Sequence, residues 1–249
     1  MEDTVNYYGS LCTEMYEQLH PTADEQELEF YLSYAKPGQK ILELLCGSGR
    51  FLVPFAQKGM DITGVDLSAE MLERLKGKLP QAKVFCCGAD RFQTEERYDY
   101  IFICANSVSL FTDPALRLAV FQKAKQLLKP DGVFVFSADT TESAEPGDET
   151  LRETARVKMQ DGKNLLLKMG QRYDAERRIQ YYPSVYELWD GQELLQSQVM
   201  DFQTRLYRLG ELDEELKAAG FSEWKAFCDF QKTPVCLQNT QMLLLYECR

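Results

Sequence analysis

Between residues 41 and 140 short apolar runs alternate with amphipathic stretches. The runs at 41–45, 61–65, 83–87, 100–104 and 132–137 have strand length and are rich in leucine, β-branched and aromatic residues, so they read as buried strands. Residues 51–58, 69–78 and 114–128 read as helices, the last opened by Asp113 as N-cap and Pro114 at the first helical position. Such alternation builds a parallel sheet with helices on both faces. Lys129-Pro130-Asp131-Gly132 reads as a turn into the fifth strand.

Past residue 140 the pattern changes. Residues 141–150, rich in Thr, Glu, Ser, Gly and Pro, read as a loop. Four runs of β-formers follow at 156–159, 165–173, 179–188 and 193–208, divided by Asp161-Gly162, Asp174-Ala175-Glu176 and Asp190-Gly191, which are hairpin signals. They predict an antiparallel sheet inserted after the fifth strand. Residues 211–219 read as a helix stopped by Gly220, then 223–230 and 241–248 as a sixth and a seventh strand. Ahead of the first strand lie a tyrosine-rich segment, Tyr7 to Tyr16, and a helix at 25–34.

The first strand runs into Cys46-Gly47-Ser48-Gly49-Arg50. Gly-x-Gly between a strand and a helix lets the backbone turn tightly against a ligand. The second strand ends in Asp66, and in a doubly wound sheet that carboxylate lies beside the first turn, where it can take both hydroxyls of a ribose. The arrangement predicts a nucleoside site. A dinucleotide fingerprint would want a third glycine for the pyrophosphate; Leu52 stands there instead, which disfavours a nicotinamide dehydrogenase.

Glu43, four residues before Gly47, completes a pattern of apolar-Glu-x-x-x-Gly-x-Gly. With Asp66 and Ser68-Ala69-Glu70-Met71-Leu72 it resembles the first motifs of the class I S-adenosylmethionine-dependent methyltransferases. The resemblance is specific over about residues 40–140 and architectural beyond them. It implies an α/β fold: a seven-stranded, mostly parallel, doubly wound sheet with an inserted antiparallel β-subdomain and an N-terminal helical lid. The expected division is a lid at 1–36, a Rossmann-like S-adenosylmethionine-binding domain at 37–145 and 209–249, and the insert at 146–208. By resemblance Glu43 holds the methionine amino group and Asp66 the ribose, around the turn Cys46, Gly47 and Gly49. Leu67 and Met71 flank the adenine. Ala89 and Asp90 reach its amino group, although Asp90 comes one position later than the family's usual Gly-Asp. Cys104 and Ala105, ending the fourth strand, neighbour the cofactor. Asn106, Ser107 and Ser109 are expected to contact the acceptor, and Tyr8 and Tyr16 to cover the cofactor's methionine end from the lid. Lys129-Pro130-Asp131-Gly132 is similar to the family's Lys-Pro-Gly-Gly turn.

Composition narrows the partners. The net charge of -11 argues against a nucleic-acid acceptor, because phosphate backbones are held by clustered Lys and Arg. No apolar run is long enough to span a membrane, and Met1-Glu2-Asp3 does not open a signal peptide, so a cytoplasmic protein without membrane partners is expected. The cysteines lack Cys-x-x-Cys spacing and His20 is the lone histidine, so no metal site is expected. Cys46, Cys86, Cys87 and Cys104 read as small buried hydrophobes. No residue stands out as a catalytic base; a tyrosine or an insert carboxylate would have to serve an acceptor that needs one. The expected activity is methyl transfer from S-adenosylmethionine to a small-molecule N- or O-nucleophile in a lidded pocket. The alternative is a non-catalytic module that binds S-adenosylmethionine or S-adenosylhomocysteine and engages a partner through the inserted sheet. For that sheet two uses stay open: a homodimer surface, or a wall over the substrate pocket. Its aromatics, Tyr173, Tyr181, Tyr182, Tyr186, Trp189 and Tyr207, suit either a clasp on substrate or packing.

Overall fold

A computed structural model describes residues 6–236 and 243–249. Two helices, α1 (Ser10–Leu19) and α2 (Glu25–Leu32), precede a strand–helix alternation: β1 (Lys40–Leu44), α3 (Leu52–Gln57), β2 (Asp61–Asp66), α4 (Ala69–Lys78), β3 (Lys83–Cys86), β4 (Tyr98–Ile103), α5 (Pro114–Leu127) and β5 (Leu128–Asp139). The insert contributes β6 (Arg152–Lys158), β7 (Asn164–Met169), β8 (Arg172–Asp174), β9 (Ile179–Asp190) and β10 (Glu193–Arg205). The chain closes with α6 (Asp213–Ala218), β11 (Trp224–Phe227) and β12 (Leu243–Cys248). Residues 241 and 242 of the expected seventh strand and residues 1–5 of the expected lid lie outside the described residues.

The main sheet has seven strands in the order β11-β12-β5-β4-β1-β2-β3. The pairs among β1 to β5 are parallel, and β12 runs antiparallel between β5 and β11. Alternation along each strand splits the core into two layers. Leu42, Leu44, Ile101, Ile103, Phe134 and Phe136 face the side that carries α5 and α6, where Phe121 and Tyr246 stack on Phe136. Ile41, Tyr100, Phe102, Val133 and Val135 face the side of α2, α3 and α4 with Tyr31, Phe55 and Leu75. Leu52, in the place of the third glycine, fits there because Gly64 on β2 has no side chain; a Cβ at 64 would come within 2.6 Å of Leu52 Cδ1.

Three expectations need correction. Lys129-Pro130-Asp131-Gly132 is not a turn but part of β5, bulged opposite Asp99 between the pairs Tyr98–Leu128 and Tyr100–Val133. The chain stays extended because Gly132 lies flush on β4, where a Cβ would come 3.0 Å from the Tyr98 carbonyl, and because Lys129 Nζ is 2.7 Å from Asp99 Oδ2. Cys86 is exposed and Cys87 only half-buried, since β3 is the edge of the sheet; Cys46 and Cys104 are buried as expected. The expected strand 165–173 breaks at Gly170-Gln171 into β7 and β8, both paired with β9. A Cβ on Gly170 would come 2.5 Å from the Glu149 backbone, so the crossing loop occupies the gap.

The inserted sheet is antiparallel, in the order β10-β9-β7-β6 with β8 beside β9. One face packs on α1: Leu11, Cys12 and Met15 meet Leu165, Leu167, Tyr186 and Met200 in a separate apolar cluster. The Cys12 thiol is 3.4 Å from the Tyr186 hydroxyl, and Gln198 Oε1 accepts from the Leu11 amide at 2.9 Å. The insert is therefore a backing for α1. Its aromatics pack: Tyr186 under α1, Tyr182 against Phe202, Tyr181 beneath Arg172, and Tyr207 in the main core below Arg117.

Candidate cofactor and active site

A cleft of about 450 Å³ opens beyond the carboxyl ends of the parallel strands, a size usual for small-ligand sites. The loops after β1 to β4 supply its floor and walls, and Tyr7, Tyr8 and Tyr16 its cover. None of the residues lining it comes from the inserted sheet; a substrate wall built from the insert is not what this cleft has.

The floor is the turn after β1. Leu45, Gly47 and Gly49 have φ of 58°, 50° and 83°, so the backbone passes through the left-handed region at alternate residues. A Cβ on Gly47 would meet nothing nearer than Met71 Sδ at 4.0 Å, which leaves the position open to the cleft. Gly49 serves packing instead: its Cβ would fall 2.8 Å from Leu75 Cγ. Asp66 ties this turn to the next one. Its Oδ2 accepts from the Gly47 amide and its Oδ1 from the Ser68 amide, both at 2.8 Å. Burial pushes its carboxyl up, and these amide bonds oppose the shift. Ser68 caps α4 by accepting from the Met71 amide at 3.1 Å, while its hydroxyl donates to the Tyr8 carbonyl at 2.7 Å, joining the N-terminal segment to the floor.

Leu67 and Met71 line one side, Ala89 and Asp90 another. The late Asp90 still reaches the cleft because Gly88 makes room; a Cβ there would meet Asp90 Oδ1 at 2.6 Å. Tyr8 and Tyr16 meet edge to face with centroids 5.8 Å apart, and Ser107 joins the lining. Of the expected site residues, Tyr8, Tyr16, Gly47, Asp66, Leu67 and Met71 thus converge on the cleft, with Ala89, Asp90 and Ser107.

The others are not among the lining residues. Glu43 is 1% exposed; its Oε1 is 3.4 Å from the Cys104 thiol, and Oε2 has no hydrogen bond of good geometry. Burial raises its carboxyl well above the usual range. Cys46 and Cys104 are buried, Cys46 packing against the bare face of Gly64. Ala105 and Asn106 both have φ of 53°, a strained pair for non-glycine residues. Three bonds hold them there: the Ala105 amide to Glu27 Oε1 at 2.8 Å, the Asn106 amide to Ser137 Oγ at 2.9 Å, and Asn106 Nδ2 to Asp139 Oδ1 at 2.7 Å. Ser109 is fully buried and accepts from the Asp139 amide at 2.8 Å, so it braces the loop rather than facing the cleft. The sequence reading missed Tyr7, Cys87, Leu110, Phe111 and Leu116 as lining. Leu116 left a trace: an apolar residue in the first turn of a helix that the core does not cover, 37% exposed.

Residues 41–132 match a family described as a methyltransferase domain. A ubiquinone biosynthesis O-methyltransferase from Actinobacillus pleuropneumoniae is 32% identical over 113 residues, 40% of this chain and 45% of the relative. This chain spans about half the length of the curated relatives it matches. The CcbJ methyltransferase from Streptomyces caelestis superposes with a TM-score of 0.76 at 20% identity, covering 100% of this chain and 99% of that one. The sugar N-methyltransferase KedS8 from a Streptoalloteichus species superposes with a TM-score of 0.74 at 16% identity, covering 99% and 97%. The strand order and the glycine turn define the class I, Rossmann-like methyltransferase fold. Residues 41–132 match a methyltransferase domain, and the fold is the one that solved S-adenosylmethionine-dependent methyltransferases share. The residues present fit that cofactor: an open floor at Gly47, an acidic rim at Asp66 and an unpartnered buried oxygen on Glu43. Among the described residues no helix is long and apolar enough to cross a membrane.

Proposed function

We propose that this protein transfers a methyl group from S-adenosylmethionine to a small-molecule nitrogen or oxygen nucleophile. The observation that carries the reading is Asp66, a carboxylate lining the cleft whose orientation is fixed by the Gly47 and Ser68 amides. In this reading Asp66 takes the ribose hydroxyls and Glu43 the amino group of the methionine end. Leu67 and Met71 are apolar walls for the adenine, and Ala89 and Asp90 meet its polar edge. When bound, S-adenosylmethionine supplies a methyl group on a cationic sulfur that leaves without acid assistance. The chain's part is then to hold an acceptor in line and keep water out, the work of Tyr8, Tyr16 and the braced loop at Asn106 and Ser107. A small acceptor accords with the O-methyltransferase of ubiquinone biosynthesis and the sugar N-methyltransferase among its relatives. The net charge of -11 disfavours nucleic acid. We read the setting as cytoplasmic, and the outer edge of β10 as the surface where a second copy would add.

Incubation with S-adenosylmethionine and fractionated small metabolites, followed by release of S-adenosylhomocysteine, tests the reading. Release should depend on one fraction and, at sub-saturating S-adenosylmethionine, fall sharply in Asp66→Ala. Calorimetry showing tight NAD binding and no response to either sulfur nucleoside would overturn it.

A further inference from the structure

Burial ends abruptly at the carboxyl ends of the central strands β4 and β5. Ile103 and Cys104 on one, and Ser137 and Ala138 on the other, are buried. Ala105 is nevertheless exposed, and Asn106 and Asp139 are only half-buried. Both strands have neighbours on either side in the sheet, so this exposure marks an opening over their ends. None of the three residues lines the cofactor cleft, which reaches as far as Ser107, next after Asn106. A run of ring contacts leads from the cleft toward the opening. Tyr16 meets Tyr8 at 5.8 Å between centroids, Tyr8 meets Phe202 at 6.1 Å, and Phe202 meets Tyr182 at 5.9 Å. All four rings are half-buried, and the Asp139 charge acts on Tyr182.

Asp139 is a carboxylate held by neutral groups. Its Oδ1 accepts from Asn106 Nδ2 at 2.7 Å, and Ser109, from the same loop, also bonds it. Tyr182 faces it from β9, and Glu145 acts on that same tyrosine. Among the described residues no Lys, Arg or His pairs with Asp139. Burial pushes its carboxyl up to about 6, which still leaves it an anion at neutral pH. A secluded anion without a counter-charge is costly, and the faces of aromatic rings attract cations. Carboxylate and rings together are the complement of a positively charged group.

From this we infer that Asp139 receives the ammonium group of an amine acceptor and takes its proton. The inference rests on the methyl-transfer reading above and narrows the acceptor to a primary or secondary amine. The N–H proton passes to the carboxylate, and the freed lone pair on nitrogen forms the new N–C bond. The C–S bond breaks with its electrons left on sulfur, and the carboxylic acid then gives its proton to water. Asn106 is a positioning residue, holding the carboxylate by one oxygen. A hydroxyl acceptor brings no charge for Asp139 to meet.

Cation exchange near neutral pH divides small metabolites into a retained, cationic pool and an unretained one. Treating part of the retained pool with an amine-selective acetylating ester caps its amines and leaves hydroxyls free. Release of S-adenosylhomocysteine should occur with the retained pool only and be lost on capping. With that pool Asp139→Asn should lower kcat/KM by about 100-fold or more, while the Kd for S-adenosylhomocysteine stays within about threefold. The parent's kcat/KM should fall on the acid side of about pH 6, and the variant should lack that limb. Tyr182→Leu should need roughly 3- to 30-fold more of the pool for half-maximal rate. Activity with the unretained pool, with neither pool, or undiminished in Asp139→Asn would overturn the inference. So would a loss of S-adenosylhomocysteine affinity in Asp139→Asn as large as the loss of rate, which would assign the residue to structure. If the parent protein did not bind S-adenosylhomocysteine, the cofactor reading itself would fall.

Discussion

The turn after β1 and the inserted sheet both shape the cleft, by different physics. The turn does so with single polar atoms: left-handed residues at 45, 47 and 49 and one carboxylate, Asp66, that accepts from two backbone amides. The insert lends no atom to the lining. It holds α1 from behind by apolar contact, and α1 in turn presents Tyr16. Directional groups tolerate few substitutes, whereas an apolar interface accepts many residues of similar volume. Binding and stability should therefore respond to different parts of the chain.

Leu165→Ala offers the hardest break in that contrast. Leu165 is fully buried between the insert and α1, and its truncation should cost about 2–4 kcal/mol of unfolding free energy. Chemical denaturation measures the loss, and affinity for 5′-methylthioadenosine should stay near the parent's. Asp66→Ala should do the reverse, weakening S-adenosylhomocysteine by about 1.5–3 kcal/mol in calorimetry with a smaller change in stability. If Asp66→Ala bound normally and Leu165→Ala did not, the two regions would have been assigned the wrong way round.

The smallest effect should come from Asp139→Asn, at the point where β5 hands the chain to the insert. Burial pushes the Asp139 carboxyl from 3.8 to about 6, against the bonds from Asn106 and Ser109. The folded state thus binds its proton more tightly than the unfolded chain, so this carboxyl costs stability as pH rises through that window. Asparagine keeps an acceptor for Asn106 and has no charge to desolvate. The variant should exceed the parent by on the order of 1–2 kcal/mol near pH 7.5, with the gap closing toward pH 4. Denaturation curves that stay parallel across this range would show that Asp139 is not held in the way described.

The main sheet was legible because strand-length apolar runs and their caps are local signals. Asp113 caps α5 at the expected position, and the insert's hairpins follow their Asp-Gly turns. What escaped depends on neighbours distant in sequence. Lys129 to Gly132 have turn chemistry, but contact with β4 keeps them extended. Cys86 reads as core until β3 proves to be an edge strand. The motif residues were legible as a set, yet which of them face the cleft was not: Glu43 and Ser109 point away from the lining that Asp66 and Ser107 join.

The chain leaves the main sheet and returns to it at one place. Thr140 bridges to Tyr207 in parallel, the Tyr207 amide donates to the Asp139 carbonyl at 2.9 Å, and the Thr141 amide donates to the Tyr207 carbonyl at 3.1 Å. Because the ends of the excursion are already adjacent, its length has no bearing on how the seven strands close, and a short linker from Thr140 to Tyr207 would preserve their topology. The insert is thus exchangeable as far as the sheet is concerned. Helix α1 is what binds it to this protein, since without the insert Leu11, Cys12 and Met15 would face water. A lineage altering this sheet would have to remodel its N-terminal helix in step, so the two segments, far apart in the chain, form one unit of evolutionary change.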